Sequence, residues 1–557
     1  MIEYQDFVGL IEKSIKENWD RNAFTDYQGS TLQFHDVARK IEKLHILFEN
    51  AGIKPGDNIA LCGRNSSAWA SAFLAILTYG AVAVPILHEF KAPQVHDIVN
   101  HSDAKLLFVG DQVWPTIKAD EMPKLEGIIN IPDYSLLISR SESLTEARET
   151  LNKKFGEKYP KYFRAEHVKY KAADDPNRLA ILNYTSGTTS NSKGVLIPYR
   201  ALWSNMDFAE KALGHIIKPG SKIISILPMA HMYGMSFEFL YEVLSGTHIY
   251  FLTRLPSPKI IFQAFAEVKP DLIISVPLII EKIIRKAVLP QLQTPSMKLL
   301  LRLPVISDKI CQRIREKLYN AFGGNFYEII IGGAAFNSEI EQLLHKIGFN
   351  YTVGYGATEC APIISYADWK ELPLGSCGRI VPHMEVKIDS PDPENIVGEI
   401  MVRGANVMLG YYKNPEATAA VIDSDGWFHT GDLGILDADG FLYIRGRSKN
   451  MLLGSSGQNI YPEEIEDKLN TLPYVSESIV IQKGEKLYGL VYPDFEEAQK
   501  DGLDDEMLAA QMEQNRKELN SIVNNYEQLS GIKIFQEEFE KTPKRSIKRF
   551  LYADAEI

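Results

Sequence analysis

The stretch Leu179-Ala-Ile-Leu-Asn-Tyr-Thr-Ser-Gly-Thr-Thr-Ser-Asn-Ser-Lys-Gly-Val-Leu-Ile197 leads from a strand-like apolar segment, through small and polar residues, into a second apolar run. Its small residues let backbone N–H groups converge on phosphate oxygens, the Ser and Thr hydroxyls add donors, and Lys193 adds a positive charge. This is not a Walker A loop: Ser192 stands where a glycine must precede the lysine, and Gly194 where Ser or Thr must follow it. Taken alone, the loop reads as a phosphate cradle or as a Gly/Ser/Thr linker, and its strand-like flanks favour the cradle.

Outward from this loop, apolar runs of strand length (58–62, 105–110, 223–227, 272–276, 328–331) alternate with helical-period stretches such as 31–50 and 337–347. That order predicts an α/β fold with layered parallel strands. From about 375 to 446 short strands separated by Pro, Gly and Asp turns predict a β-rich subdomain. Beyond 447 a smaller α+β unit follows, with strands near 478–481 and 488–492 and a helix whose apolar face is Leu508, Met512, Leu519, Ile522, Val523 and Tyr526. The expected organisation is a large N-terminal domain, 1–447, and a small mobile C-terminal domain, 448–557.

The 557 residues, 45% hydrophobic and 24% charged, describe an ordinary globular chain. With 60 Lys and Arg against 72 Asp and Glu, the net charge of −12 argues against a nucleic-acid partner. The four cysteines form no CxxC pair and no metal-ligand spacing, as expected of reduced thiols in a cytoplasmic protein. The N-terminus carries no signal-peptide pattern. The uncharged stretch 68–87 is long enough to span a bilayer, but Gly80 and Pro85 interrupt it, so a buried helix running into a buried strand is expected. The C-terminus is uneven: 494–518 holds nine acids against three bases, and 541–549 holds five bases and no acid.

The loop Tyr184–Gly194 resembles the phosphate-binding signature of the AMP-binding, acyl-adenylate-forming enzymes. Further segments follow in that family's order: Leu227-Pro-Met-Ala-His231, Gly332-Gly-Ala-Ala-Phe336, Tyr355-Gly-Ala-Thr-Glu359, Thr430-Gly-Asp432 and Arg445-Gly-Arg447. Each is weak alone, and together they cover roughly residues 20 to 550. The resemblance implies that Thr185, Ser186, Gly187, Thr188, Thr189 and Lys193 cradle ATP phosphates. It implies that Gly333, Ala334 and Ala335 border the adenine, and that Tyr355 beside Gly356 stacks on it. Thr358 would offer its hydroxyl to the α-phosphate, Glu359 a hard oxygen to Mg2+, and Asp432 and Arg447 would hold the ribose. His231, more often a packed core histidine when met alone, becomes a gate between nucleotide and acyl chain. Lys449 becomes the hinge of the C-terminal domain.

The implied reaction has two halves, acyl-AMP formation from a carboxylic acid and ATP, then thioester formation with coenzyme A. The segments 454–466 and 542–549 look most like bacterial long-chain fatty acid CoA ligases, and Met232-Tyr-Gly-Met-Ser236 offers no carboxylate to an amino-acid substrate. Transfer to a carrier-protein phosphopantetheine is the near alternative, and peripheral membrane contact fits a fatty substrate. One departure stands out: where the family carries its bridging C-terminal lysine this chain has Ser546, between Lys544 and Lys548. Either one of those lysines substitutes, or adenylation is impaired and the chain is a nucleotide- or acyl-AMP-binding regulator.

Overall fold

The computed structural model describes residues 4–170, 175–185, 193–253, 258–287, 304–453, 458–541 and 547–556. Its central sheet has eight strands, in spatial order Gly410–Tyr411, Gly194–Pro198, Leu179–Tyr184, Val82–Ile86, Asn58–Cys62, Leu106–Val109, Gly127–Asn130 and Leu136–Ser139. The inner pairs are parallel. Parallel strands covered on both faces read as unbroken apolar runs, and both Val82–Ile86 and Leu106–Val109 are buried throughout. The flanks depart from the all-parallel expectation: Leu179–Tyr184 pairs antiparallel with Gly194–Pro198, and Gly127–Asn130 with Leu136–Ser139. The connection between Tyr184 and Gly194 is shorter than the dozen or more residues a parallel crossover needs, which accounts for the antiparallel pairing of the strands it joins.

The helix Ser67–Tyr79 opens on Ser66, whose side chain accepts from Trp69 N–H, and closes on Gly80 at φ 84°. The strand Val82–Ile86 follows directly, so the stretch that could have spanned a bilayer is buried helix and buried strand. Among the described residues no helix is long and apolar enough to cross a membrane. Trp69 stacks on Phe73 at 5.2 Å, and Phe239 meets both rings edge-on. These contacts weld the helix to the segment after His231.

The stretch 31–50 splits into a short strand, Thr31–Gln33, and the helix Phe34–Ala51. The β-rich region is a four-stranded antiparallel sheet of Met384–Asp389, Gly398–Gly404, Phe428–Leu436 and Leu442–Arg447. One large core cluster runs from Phe7 to Leu442, and two smaller ones lie between Ile460 and Phe539. The smaller clusters belong to a C-terminal domain with a sheet of Val475–Lys483, Lys486–Pro493 and Leu529–Ile534. Its helix Asp505–Ile522 buries Leu508, Met512 and Leu519, but Ile522 is 57% and Tyr526 42% exposed. The apolar face ends early because the backbone turns extended at Val523, and the buried Asn515 amide fills a core position by donating to Pro473 O. The two domains touch where Asp467 accepts from Asn337 Nδ2 and Ser338 N, and where Arg285 donates to Asn470 O.

Candidate active site

The site is built around the base of the phosphate-type loop. Thr185 N–H donates to Lys193 O at 3.0 Å, continuing the antiparallel pairing that ends at Tyr184 and Gly194. Ser186, Gly187, Thr188 and Thr189 lie outside the described residues. On the far side of the hairpin the short strand Gly410–Tyr411 pairs with it, Tyr411 opposite Val195. That register sets the Lys193 ammonium over the Tyr411 ring, 4.6 Å from its centroid. The Tyr411 hydroxyl in turn donates to Glu359 Oε1 at 2.9 Å.

Glu359 sits in a single 3-10 turn, Thr358–Cys360, directly after the strand Tyr355–Gly356. Its carbonyl accepts from Met408 N–H at 2.8 Å, which anchors the turn beside the hairpin. Gly356 has no room for a side chain, since a Cβ there would lie 2.3 Å from Pro362 O. The strand Ile329–Ile331 delivers Gly333, Ala334 and Ala335 to the surface, where Gly333 takes φ +90°, a conformation that favours glycine.

The third cluster is Tyr355, Asp432 and Arg447. Asp432 and Arg447 face each other across the pairing of Phe428–Leu436 with Leu442–Arg447. Asp432 Oδ1 meets Arg447 Nε at 2.9 Å, and Oδ2 accepts from the Tyr355 hydroxyl at 2.7 Å. Burial pushes the Asp432 carboxyl above its usual range, while Arg447 and Tyr355 oppose that rise. A carboxylate has about four lone-pair positions, so two contacts leave capacity for further hydroxyl donors. Burial likewise pushes the Tyr355 phenol well up, which keeps it a donor.

His231 caps the short helix Met232–Gly234, its Nδ1 accepting from Tyr233 N–H at 3.3 Å. Lys449 is exposed in the turn Ser448–Asn450. Of the C-terminal basic run, Lys544 and Ser546 lie outside the described residues. Lys548 reaches Glu540 at 3.1 Å, Lys541 is held by Glu477 and Glu538, and Arg549 by Glu466. In this arrangement the described basic side chains of the tail are paired within the C-terminal domain.

The structure thus brings Lys193 and Glu359 together through Tyr411, and Tyr355, Asp432 and Arg447 together directly. Sequence reading missed Tyr411, whose only mark is a Gly-Tyr-Tyr turn far down the chain. Among the described residues no group of three or more His, Cys, Asp or Glu side chains is arranged so that it could hold a metal ion. A lone carboxylate beside a phosphate-type loop suits Mg2+, which usually takes one or two protein carboxylates and completes its shell with substrate phosphates and water.

The profile of the AMP-binding enzyme family matches residues 11–412, and the chain belongs to that family. A long-chain fatty acid CoA ligase of Mycobacterium bovis is 26% identical over 93% of this chain and 90% of its own. One from Escherichia coli is 27% identical over 85% of this chain and 82% of its own. Among solved structures, an anthranilate CoA ligase in complex with anthranoyl-AMP shares the fold at TM-score 0.78 and 18% identity, over 100% of this chain and 98% of that one. ATP-bound MatB from Rhodopseudomonas palustris does so at TM-score 0.76 and 20% identity, over 99% of both chains.

The Tyr355–Asp432 bond generates a pH prediction. It favours the ionised carboxylate, so Tyr355→Phe should raise the Asp432 pKa further. The acid-side loss of AMP binding should then move to higher pH by about 0.5 to 1 unit, the scale of one hydrogen bond of about 1 kcal/mol. Titration calorimetry from pH 5 to 8 on both proteins reads this directly. An unmoved acid limb would mean that Asp432 does not take the nucleotide.

Proposed function

We propose that the protein is an acyl-CoA synthetase that activates a fatty, long-chain carboxylic acid with ATP and passes the acyl group to coenzyme A. The observation carrying this reading is the linked set Lys193, Tyr411 and Glu359 beside Tyr355, Asp432 and Arg447. One nucleotide would need an anion-binding loop, a hard carboxylate and a sugar-binding pair, and these residues offer the chemistry of each. Membership of the AMP-binding enzymes and the resemblance to fatty acid CoA ligases support the same assignment.

In the proposed chemistry the substrate carboxylate attacks the α-phosphorus of ATP in line and pyrophosphate leaves. Lys193 and the loop hydroxyls, with Thr358, stabilise charge on the phosphoryl oxygens. Glu359 would hold Mg2+, which supplies charge neutralisation at the phosphates. Asp432 and Arg447 fix the ribose, and Tyr355 lies along the base. A lysine of the C-terminal tail, Lys544 or Lys548, supplies the charge that Ser546 lacks. The C-terminal domain, 448–557, then turns about Lys449, and the thiolate of coenzyme A attacks the acyl carbon and expels AMP.

The segment after His231 favours an apolar acid. Met232, Tyr233, Met235 and Phe237 are buried. The first carboxyl beyond His231 in sequence is Glu238, which is engaged by Leu227 N–H and pushed well above the usual carboxylate range by burial. It is therefore no partner for a substrate ammonium.

Wild-type protein should release pyrophosphate from Mg-ATP only when a carboxylic acid is added, with long-chain acids ahead of amino acids. Glu359→Gln should cut that rate about 10- to 1000-fold by removing charge from the metal ligand. Acid-independent release, or a preference for an amino acid, contradicts the assignment. A second prediction concerns the hinge: Lys449→Pro fixes φ, so acyl-AMP should still form while thioester formation from supplied acyl-AMP collapses. Equal loss of both steps in a folded variant would remove Lys449 from that role.

A further inference from the structure

After the strand Lys222–Ser225 the chain runs as a loop through Leu227-Pro-Met-Ala-His231, so its backbone polar groups have no sheet ladder to satisfy them. Side chains from elsewhere perform that task. Leu227 N–H donates to Glu238 Oε2 at 2.9 Å, and Leu227 O accepts from Asn65 Nδ2 at 2.6 Å. Met229 N–H donates to Asn65 Oδ1 at 2.9 Å, and Ala230 O accepts from Asn183 Nδ2 at 3.0 Å. His231 N–H returns to Pro228 O at 2.9 Å.

Asn65, Asn183 and Glu238 are all buried. Asn65 lies between the strand Asn58–Cys62 and the helix Ser67–Tyr79. Asn183 sits in the strand Leu179–Tyr184, two residues before Thr185, and Glu238 in the π-helical turn Met235–Leu240. Asn65 is central. One carboxamide serves a C=O and an N–H two residues apart, as a neighbouring strand would, and a further bond to Ser225 Oγ at 3.0 Å ties it to the preceding strand. Among similarly short side chains only a carboxamide offers donor and acceptor in one plane. An ionised Asp would set an acceptor against Leu227 O and leave that buried carbonyl unpaired.

We infer that Asn65 is a positioning residue for the acyl side of the active site, fixing the Leu227–His231 backbone while Asn183 ties that loop to the strand carrying the phosphate-type loop. The inference rests on the proposed reading of His231 as the gate between nucleotide and acyl chain. Its consequence is that removing the clamp harms the use of the acid far more than the binding of nucleotide.

The test uses the full-length protein with Asn65→Asp and Asn65→Ala, the acid being the fatty acid that wild type turns over best. Both variants should lose about 10- to 100-fold in kcat/KM for the acid, the scale of misplacement by about 1 Å, with the AMP dissociation constant within about threefold of wild type. The Asn65→Asp deficit should shrink as pH falls, because a protonated carboxyl regains a donor toward Leu227 O, while the Asn65→Ala deficit stays constant. Unchanged acid kinetics, equal losses for acid and nucleotide, or an Asp deficit flat with pH would overturn the inference. Should the variants not fold, hydrogen exchange on wild type decides: Leu227, Met229 and His231 amides protected like those of Lys222–Ser225 support the clamp, and fast exchange refutes it. A wild type without acid-dependent pyrophosphate release would instead defeat the proposed function, and the exchange measurement would still read the clamp.

Discussion

The hydrogen bond from Thr185 N–H to Lys193 O closes the base of the phosphate-type loop, and the rest of the site depends on that closure. It extends the antiparallel hairpin strands Leu179–Tyr184 and Gly194–Pro198, which are set into a largely parallel sheet. The outer strand of the hairpin then has an edge to offer, and Gly410–Tyr411 takes it. Because strand register fixes which face each side chain occupies, that pairing delivers Tyr411 to Lys193 and Glu359 together. A residue more than two hundred positions downstream is thereby made part of the loop's surroundings. The same hairpin, through Asn183, reaches the loop that carries His231.

The electrostatics are divided between the domains. In the N-terminal domain the buried acid Asp432 is balanced by Arg447 and Tyr355 against its own desolvation. In the C-terminal domain the described bases of the run 541–549 are occupied: Lys541, Lys548 and Arg549 each rest on a carboxylate. Any of these that serves the nucleotide must exchange one partner for another. The domain motion proposed above would be the occasion for that exchange, and the contacts that Asp467 and Arg285 make across the interface are polar.

The core was legible in the sequence because strands buried on both faces advertise themselves as apolar runs: Asn58–Cys62 and Leu179–Tyr184 fall where the pattern puts them. The motif segments were legible because close backbone approach demands small residues, as Gly356 against Pro362 illustrates. The antiparallel hairpin was less so, since pairing direction is set by connection length rather than by composition. The helix face that was to include Ile522 and Tyr526 failed because a buried Asn515 and an early helix end carry no hydrophobic signal. Tyr411, Asn65 and Glu238 stayed hidden for another reason. Each acts through contacts made only after folding, and none belongs to a spacing pattern. Asn183 had one visible mark, a lone amide in an otherwise apolar strand.

In the proposed reaction a carboxylate oxygen attacks the α-phosphorus of ATP, and the fate of that oxygen records the attack. A long-chain fatty acid carrying 18O in both carboxyl positions would be incubated with the protein, Mg-ATP and coenzyme A in unlabelled water, and the nucleotide and phosphate products weighed by mass spectrometry. One 18O atom should appear in AMP, none in pyrophosphate, and the remaining label in the acyl thioester. Label in inorganic phosphate with ADP as the nucleotide product, or AMP formed without label, would contradict it.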